Sequence, residues 1–76
     1  MNKIRRELLC RAESLLDQAS ELISQALEEE QDCLDNMPEN LQDSERYQKM
    51  EDAIDALESA VDSIEEAKEC VSTASG

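Results

Sequence analysis

The chain has no histidine, tryptophan or phenylalanine, and only one tyrosine, one glycine and one proline. Each absence removes a class of protein. Without histidine there is no Ser-His-Asp triad, no Cys-His pair, no H-E-x-x-H zinc motif and no Glu-x-x-His di-iron bundle. A single glycine leaves no glycine-rich phosphate loop. Scarce aromatic and β-branched residues argue against a sheet. The three cysteines, Cys10, Cys33 and Cys70, are odd in number and show no C-x-x-C spacing, so neither a disulfide framework nor a zinc site is expected. Asp32, Asp35 and Asn36 lack the spacing and the glycine of a calcium loop. No apolar run approaches the length that spans a bilayer. The basic N-terminus is followed by no uninterrupted apolar segment of the signal-peptide kind. These features lead us to expect a cytoplasmic, membrane-free protein with reduced thiols, no cofactor, no metal and no enzymatic activity.

What the chain does have is Ala, Leu, Glu, Asp, Ser and Gln, the composition of long helices. Its 76 residues make one domain at most. Alanine recurs every seven residues in both halves: Ala12, Ala19 and Ala26, then Ala53, Ala60, Ala67 and Ala74. Ala26 with Ala53, Ala19 with Ala60, and Ala12 with Ala67 each sum to 79, so a chain folding back on itself near its middle would set these pairs level. The expected fold is all-α: an antiparallel two-helix hairpin with alanine-rich, coiled-coil-like packing, dimerising into a four-helix bundle. In this reading Ala12, Ala19, Ala26, Ala53, Ala60 and Ala67 pack the two helices together.

The pattern predicts helices over 3–36 and 44–72, a hinge over 37–43 and a frayed tail at 73–76. Pro38 disfavours α geometry at Met37 and so ends the first helix. Asn36, with Glu39 three residues on, reads as the start of a short helical turn. Asp43 or Ser44 is the expected N-cap of the second helix, and Leu41 is expected to plug the hairpin end. Lys3, Arg5 and Arg6 sit unfavourably at the positive end of a helix dipole. Pairing with Glu65, Glu66 and Glu69 would offset that.

Each helix carries three apolar columns, whereas a two-stranded pair needs about two. In the first helix the columns are the alanines, Leu8-Leu15-Leu22 and Leu9-Leu16-Ile23. In the second they are the alanines, Met50-Leu57-Ile64-Val71 and Tyr47-Ile54-Val61. Leu9, Leu16, Ile23, Tyr47, Ile54 and Val61 are read as the surplus, a face for a second copy or a partner.

Charge is equally uneven. The net charge is −13. Residues 1–11 carry Lys3, Arg5, Arg6 and Arg11 against Glu7, a net +3, and the remainder is −16. Over helices of roughly 45 Å at 1.5 Å per residue, that is about one charge per 3 Å, against ~1.7 Å for duplex DNA. Such a body repels nucleic acid and attracts basic protein surfaces. Glu51, Asp52, Asp55, Glu58, Asp62, Glu65, Glu66 and Glu69 are the expected partner face. The function expected is a non-enzymatic module that binds a basic host protein and bars it from nucleic acid. The alternative is a structural or adaptor homodimer that binds through its apolar helix faces.

The segment Asp35-Asn36-Met37-Pro38-Glu39-Asn40-Leu41-Gln42, followed by Ser44-Glu45-Arg46 and by Met50-Glu51, Ala53-Ile54 and Leu57-Glu58, resembles a family of small acidic helical proteins. These are encoded by low-GC Gram-positive bacteria and their phages and mobile elements. The resemblance implies no catalytic or binding residue. It implies a phage or mobile-element accessory protein, a context that includes DNA-mimicking inhibitors of CRISPR and restriction nucleases.

Overall fold

The computed structural model describes all 76 residues. Helix α1 runs Lys3–Asp35 and helix α2 runs Glu45–Ser75, with one 3-10 turn, Glu39–Leu41, between them. The two helices pack side by side as an antiparallel hairpin, a rod of 59 × 15 × 13 Å.

Local chemistry sets the ends. Asn2 caps α1, its side-chain oxygen accepting from the Arg5 N–H at 2.9 Å. At the other end Asn36 does not open the following turn. Its side-chain amide instead donates back to the Asp32 carbonyl at 2.8 Å, closing α1. Pro38 heads the 3-10 turn, its carbonyl accepting from the Leu41 N–H. Ser44 caps α2: its hydroxyl accepts from the Tyr47 N–H at 3.2 Å and donates to the Leu41 carbonyl at 2.6 Å. Leu41 remains 44% exposed and does not plug the hairpin. Helix α2 continues beyond residue 72 to Ser75, whose hydroxyl donates to the Val71 carbonyl.

With two helices there is no enclosed interior. Only Ile54 is buried, at 5% exposure. The half-buried residues nevertheless trace one unbroken seam. On α1 it runs Leu9, Leu16, Ser20, Ile23, Leu27, Gln31 and Leu34, ending at Met37 beyond the helix. On α2 it runs Tyr47, Met50, Leu57, Val61, Ile64, Lys68 and Val71. The two halves mirror each other when Ile23 is set level with Val61, Leu27 with Leu57, Ser20 with Ile64, Leu34 with Met50 and Met37 with Tyr47, pairs that share a single residue-number sum.

Both the expected alanine register and the expected surplus are therefore corrected. The helices are slid about 7.5 Å along their axes from the alanine-on-alanine alignment, taking 1.5 Å per residue. Ala12, Ala19, Ala53, Ala60 and Ala67 are half-buried at the edge of the seam, and Ala26 is exposed. Leu9, Leu16, Ile23, Tyr47, Ile54 and Val61 lie within the seam, not on a free face. The surplus is the other leucine column: Leu8, Leu15 and Leu22 are 55, 64 and 67% exposed, with Ile4 at 70%. The physical reason is area. Apolar stabilisation follows surface removed from water, at about 25 cal/mol per Å², and leucine, isoleucine and valine have far more to remove than alanine.

The slide has an electrostatic consequence. Ser75 lies level with Leu9, so the first turns of α1 have no α2 residue beside them. Lys3, Arg5 and Arg6 make no ion pair with Glu65, Glu66 or Glu69, and the expected cross-helix pairing at that end is absent.

Candidate binding faces

The seam divides the hairpin into two unlike sides. Successive residues of a helix are rotated by about 100°, so positions three, four and seven apart share a face. On α2 the alanines Ala53, Ala60 and Ala67 border the seam on one side, and Glu51, Glu58 and Glu65 border it on the other. On α1 the alanines again lie to one side, and Glu13, Asp17, Ser24 and Glu28 to the other.

Four shallow clefts show how these borders meet. One is lined by Gln31, Leu34, Glu51, Ile54, Asp55 and Glu58. The next holds Ser24, Leu27, Glu28, Glu58, Val61 and Asp62. A third has Asp17, Ser20, Glu21, Ser24, Gln25 and Glu28 with Lys68. The last has Glu13, Glu65, Lys68, Glu69 and Ser72. The acidic borders of both helices thus share one side of the rod, and Lys68 is the one cation among the cleft-lining residues.

Of the eight acids expected to form a partner face, Glu51, Asp55, Glu58, Asp62, Glu65 and Glu69 line these clefts. Asp52 and Glu66 are exposed but line none of the four; Asp52 accepts a hydrogen bond from the Gln48 side chain at 3.1 Å. The α1 contribution, Glu13, Asp17, Glu21 and Glu28, was not foreseen as part of this face. The signal was present in their spacing, but joining them to the α2 acids needs the rotation of α1 about its axis.

Lys68 lies across the seam. Its ammonium pairs with Asp17 on α1 and lies 3.6 Å from Glu65 on its own helix. The hydrogen bond to Asp17 raises the Lys68 ammonium above the ordinary lysine range. Desolvation opposes the shift, while the charges of Asp17 and Glu65 add to it.

Averaged over the 59 Å rod, net −13 amounts to about one charge per 4.5 Å, against ~1.7 Å along duplex DNA. The basic first turns of α1 dilute the average.

On the opposite side, Leu8, Leu15 and Leu22 stand beside the alanine borders. Near the hinge a fifth cleft is lined by Cys33, Met37, Pro38, Leu41 and Met50 together with Asp32, Asn36 and Arg46. Cys10, Cys33 and Cys70 are free and exposed. No three His, Cys, Asp or Glu side chains are grouped so as to hold a metal ion. No helix is long and apolar enough to cross a membrane.

No protein-family model, curated protein or solved structure matches this chain.

Proposed function

We propose that this chain is a non-enzymatic binding module whose acidic side captures a basic, nucleic-acid-binding protein and bars it from nucleic acid. The observation that carries this reading is the convergence of carboxylates from both helices on one side of a rod, with Lys68 as their single cation. A cationic groove built for a phosphate backbone meets on this side a linear run of anions. Association of that kind is steered by long-range attraction. The hinge resemblance supports placing the module among cytoplasmic phage or mobile-element accessory proteins that target host defence nucleases. The apolar side supports a second element of the reading: the working unit is a homodimer.

The test is capture from host lysate by the tagged protein at low and high salt, with duplex DNA as competitor. Glu58→Lys with Asp62→Lys reverses two charges in one cleft. Asp52→Lys with Glu66→Lys reverses the same number outside the clefts. Capture is expected to fall steeply with salt, to be displaced by duplex DNA, and to be lost in the cleft variant but retained in the matched control. Salt-insensitive capture, or equal loss in both variants, overturns the reading.

A further inference from the structure

We propose that a second copy of this chain covers the Leu8-Leu15-Leu22 stripe, with the two α1 helices running antiparallel. The proposal rests on the homodimer element of the reading above and is independent of the acidic side.

Two features of the single chain are left without partners, and one arrangement satisfies both. The first is the stripe itself. Ile4, Leu8, Leu15 and Leu22 are each more than half exposed and recur at helical spacing along one face of α1. The second is Arg5, which extends past the end of α2 and makes no ion pair.

Facing layers interdigitate when a large residue of one helix meets a small one of the other, and both recur here every seven residues. Placing Leu15 level with the partner copy's Ala19 also sets Leu8 level with Ala26 and Leu22 with Ala12. Ala26, exposed in the single chain, thereby gains a neighbour. The same placement brings Arg5, seven residues before Ala12, level with Glu29 of the other copy, seven residues after Leu22, so both lie on the interface face, and the two-fold axis repeats the match at the far end. Packing and charge are read from different residues, yet they select one register. A parallel pair would set Arg5 beside its own copy and Glu29 beside its own copy. Both contacts are repulsive.

Because α2 flanks α1 on the same side in each copy, the assembly is a four-helix bundle. The alanine borders of α2 then face each other, and the two acidic sides point outward. The protein would offer two separated acidic faces from one core.

The experiment is sedimentation equilibrium over a concentration series, combined with thiol cross-linking in a background with Cys10, Cys33 and Cys70 changed to serine. A dimer of the 8.6 kDa chain is expected. A mixture of Leu8→Cys and Ala26→Cys chains should cross-link as a heterodimer, whereas neither cross-links alone. A monomer at all concentrations, or cross-linking of Leu8→Cys with itself, overturns the proposal. Leu15→Glu is expected to yield a monomer. Should that variant fail to fold, the charges decide instead. Arg5→Glu, and separately Glu29→Arg, should each weaken the dimer by at least about tenfold, or about 1.4 kcal/mol. Combining the two should restore it, and no recovery overturns the register. A monomer that still captures its basic target removes this proposal alone. A dimer that captures nothing removes only the acidic-side reading.

Discussion

Lys68 on α2 pairs with Asp17 on α1, the only ion pair that joins the two helices. It ties them within the slid register, and it lies among carboxylates that would otherwise repel one another across the seam. Asp17→Lys or Lys68→Asp should each lower the melting temperature, and the exchanged pair should recover most of the loss. The pH dependence follows from the raised Lys68 ammonium. A base whose folded value lies above its unfolded value stabilises fully below the unfolded value, and that contribution is lost as pH rises through the folded value. The pair therefore contributes undiminished through neutral pH and fades only in the alkaline range above ordinary lysine. Thermal melts of the chain and of Lys68→Met from neutral to strongly alkaline pH should converge at the alkaline end.

One inter-helix ion pair does little against nineteen acids beyond residue 11. Salt screens both attraction and repulsion, over a distance of about 10 Å at 0.1 M. Repulsion dominates here, because carboxylates of both helices face the same side. Raising ionic strength from about 20 to about 300 mM should therefore raise the melting temperature, whereas a fold held by surface ion pairs would respond in the opposite direction. Melts in sodium chloride at fixed chain concentration check this.

Ser44 is the hinge residue on which most depends locally. Its hydroxyl satisfies an otherwise unpaired N–H of the first turn of α2, and it also donates to the Leu41 carbonyl that ends the 3-10 turn. Ser44→Ala should cost about 1 kcal/mol, read as a shift in urea midpoint with unchanged slope. Ser44→Asp, which keeps an acceptor at the cap, should retain most of that stability.

The all-α hairpin, the end of α1 near Asn36 and the Ser44 cap were legible in the sequence because composition, Pro38 and capping chemistry act locally. The register was not. Alanines in mirrored ladders suggest close approach, and they outweigh a subtler sign. Counting on from Leu16 through Ser20, Ile23, Leu27 and Gln31 to Leu34 and Met37 keeps a spacing of three and four without a break, whereas the Leu8 column runs into Glu29. Only the first series continues to the hinge, and it is the one that packs. The acidic side was half legible for the same reason: Glu51, Glu58 and Glu65 could be read on α2, but their neighbours Asp17 and Glu28 depend on how α1 is turned. The register itself is testable. In a cysteine-free background, Ile23→Cys with Val61→Cys should close efficiently with a short thiol cross-linker within one chain. Ala26→Cys with Ala53→Cys, the pair favoured by the ladders, should not.

Ile54 and Leu15 have similar side chains and opposite surroundings, one 5% and the other 64% exposed. Ile54 is the one buried residue of the hairpin, so Ile54→Ala forfeits its transfer energy and leaves a gap that a two-helix structure closes only in part. The expected loss is about 2–4 kcal/mol at any chain concentration. Leu15→Ala removes a side chain that touches little within its own hairpin. In dilute solution, where chains are separate, its effect on unfolding should stay within about 0.5 kcal/mol. If a second copy covers the stripe, stability acquires a term that rises with chain concentration, and Leu15→Ala should then become costly in concentrated solution and remain neutral in dilute solution. Urea unfolding of both variants at two chain concentrations, a hundredfold apart, separates the residue that holds the hairpin from the residue that holds the pair of hairpins.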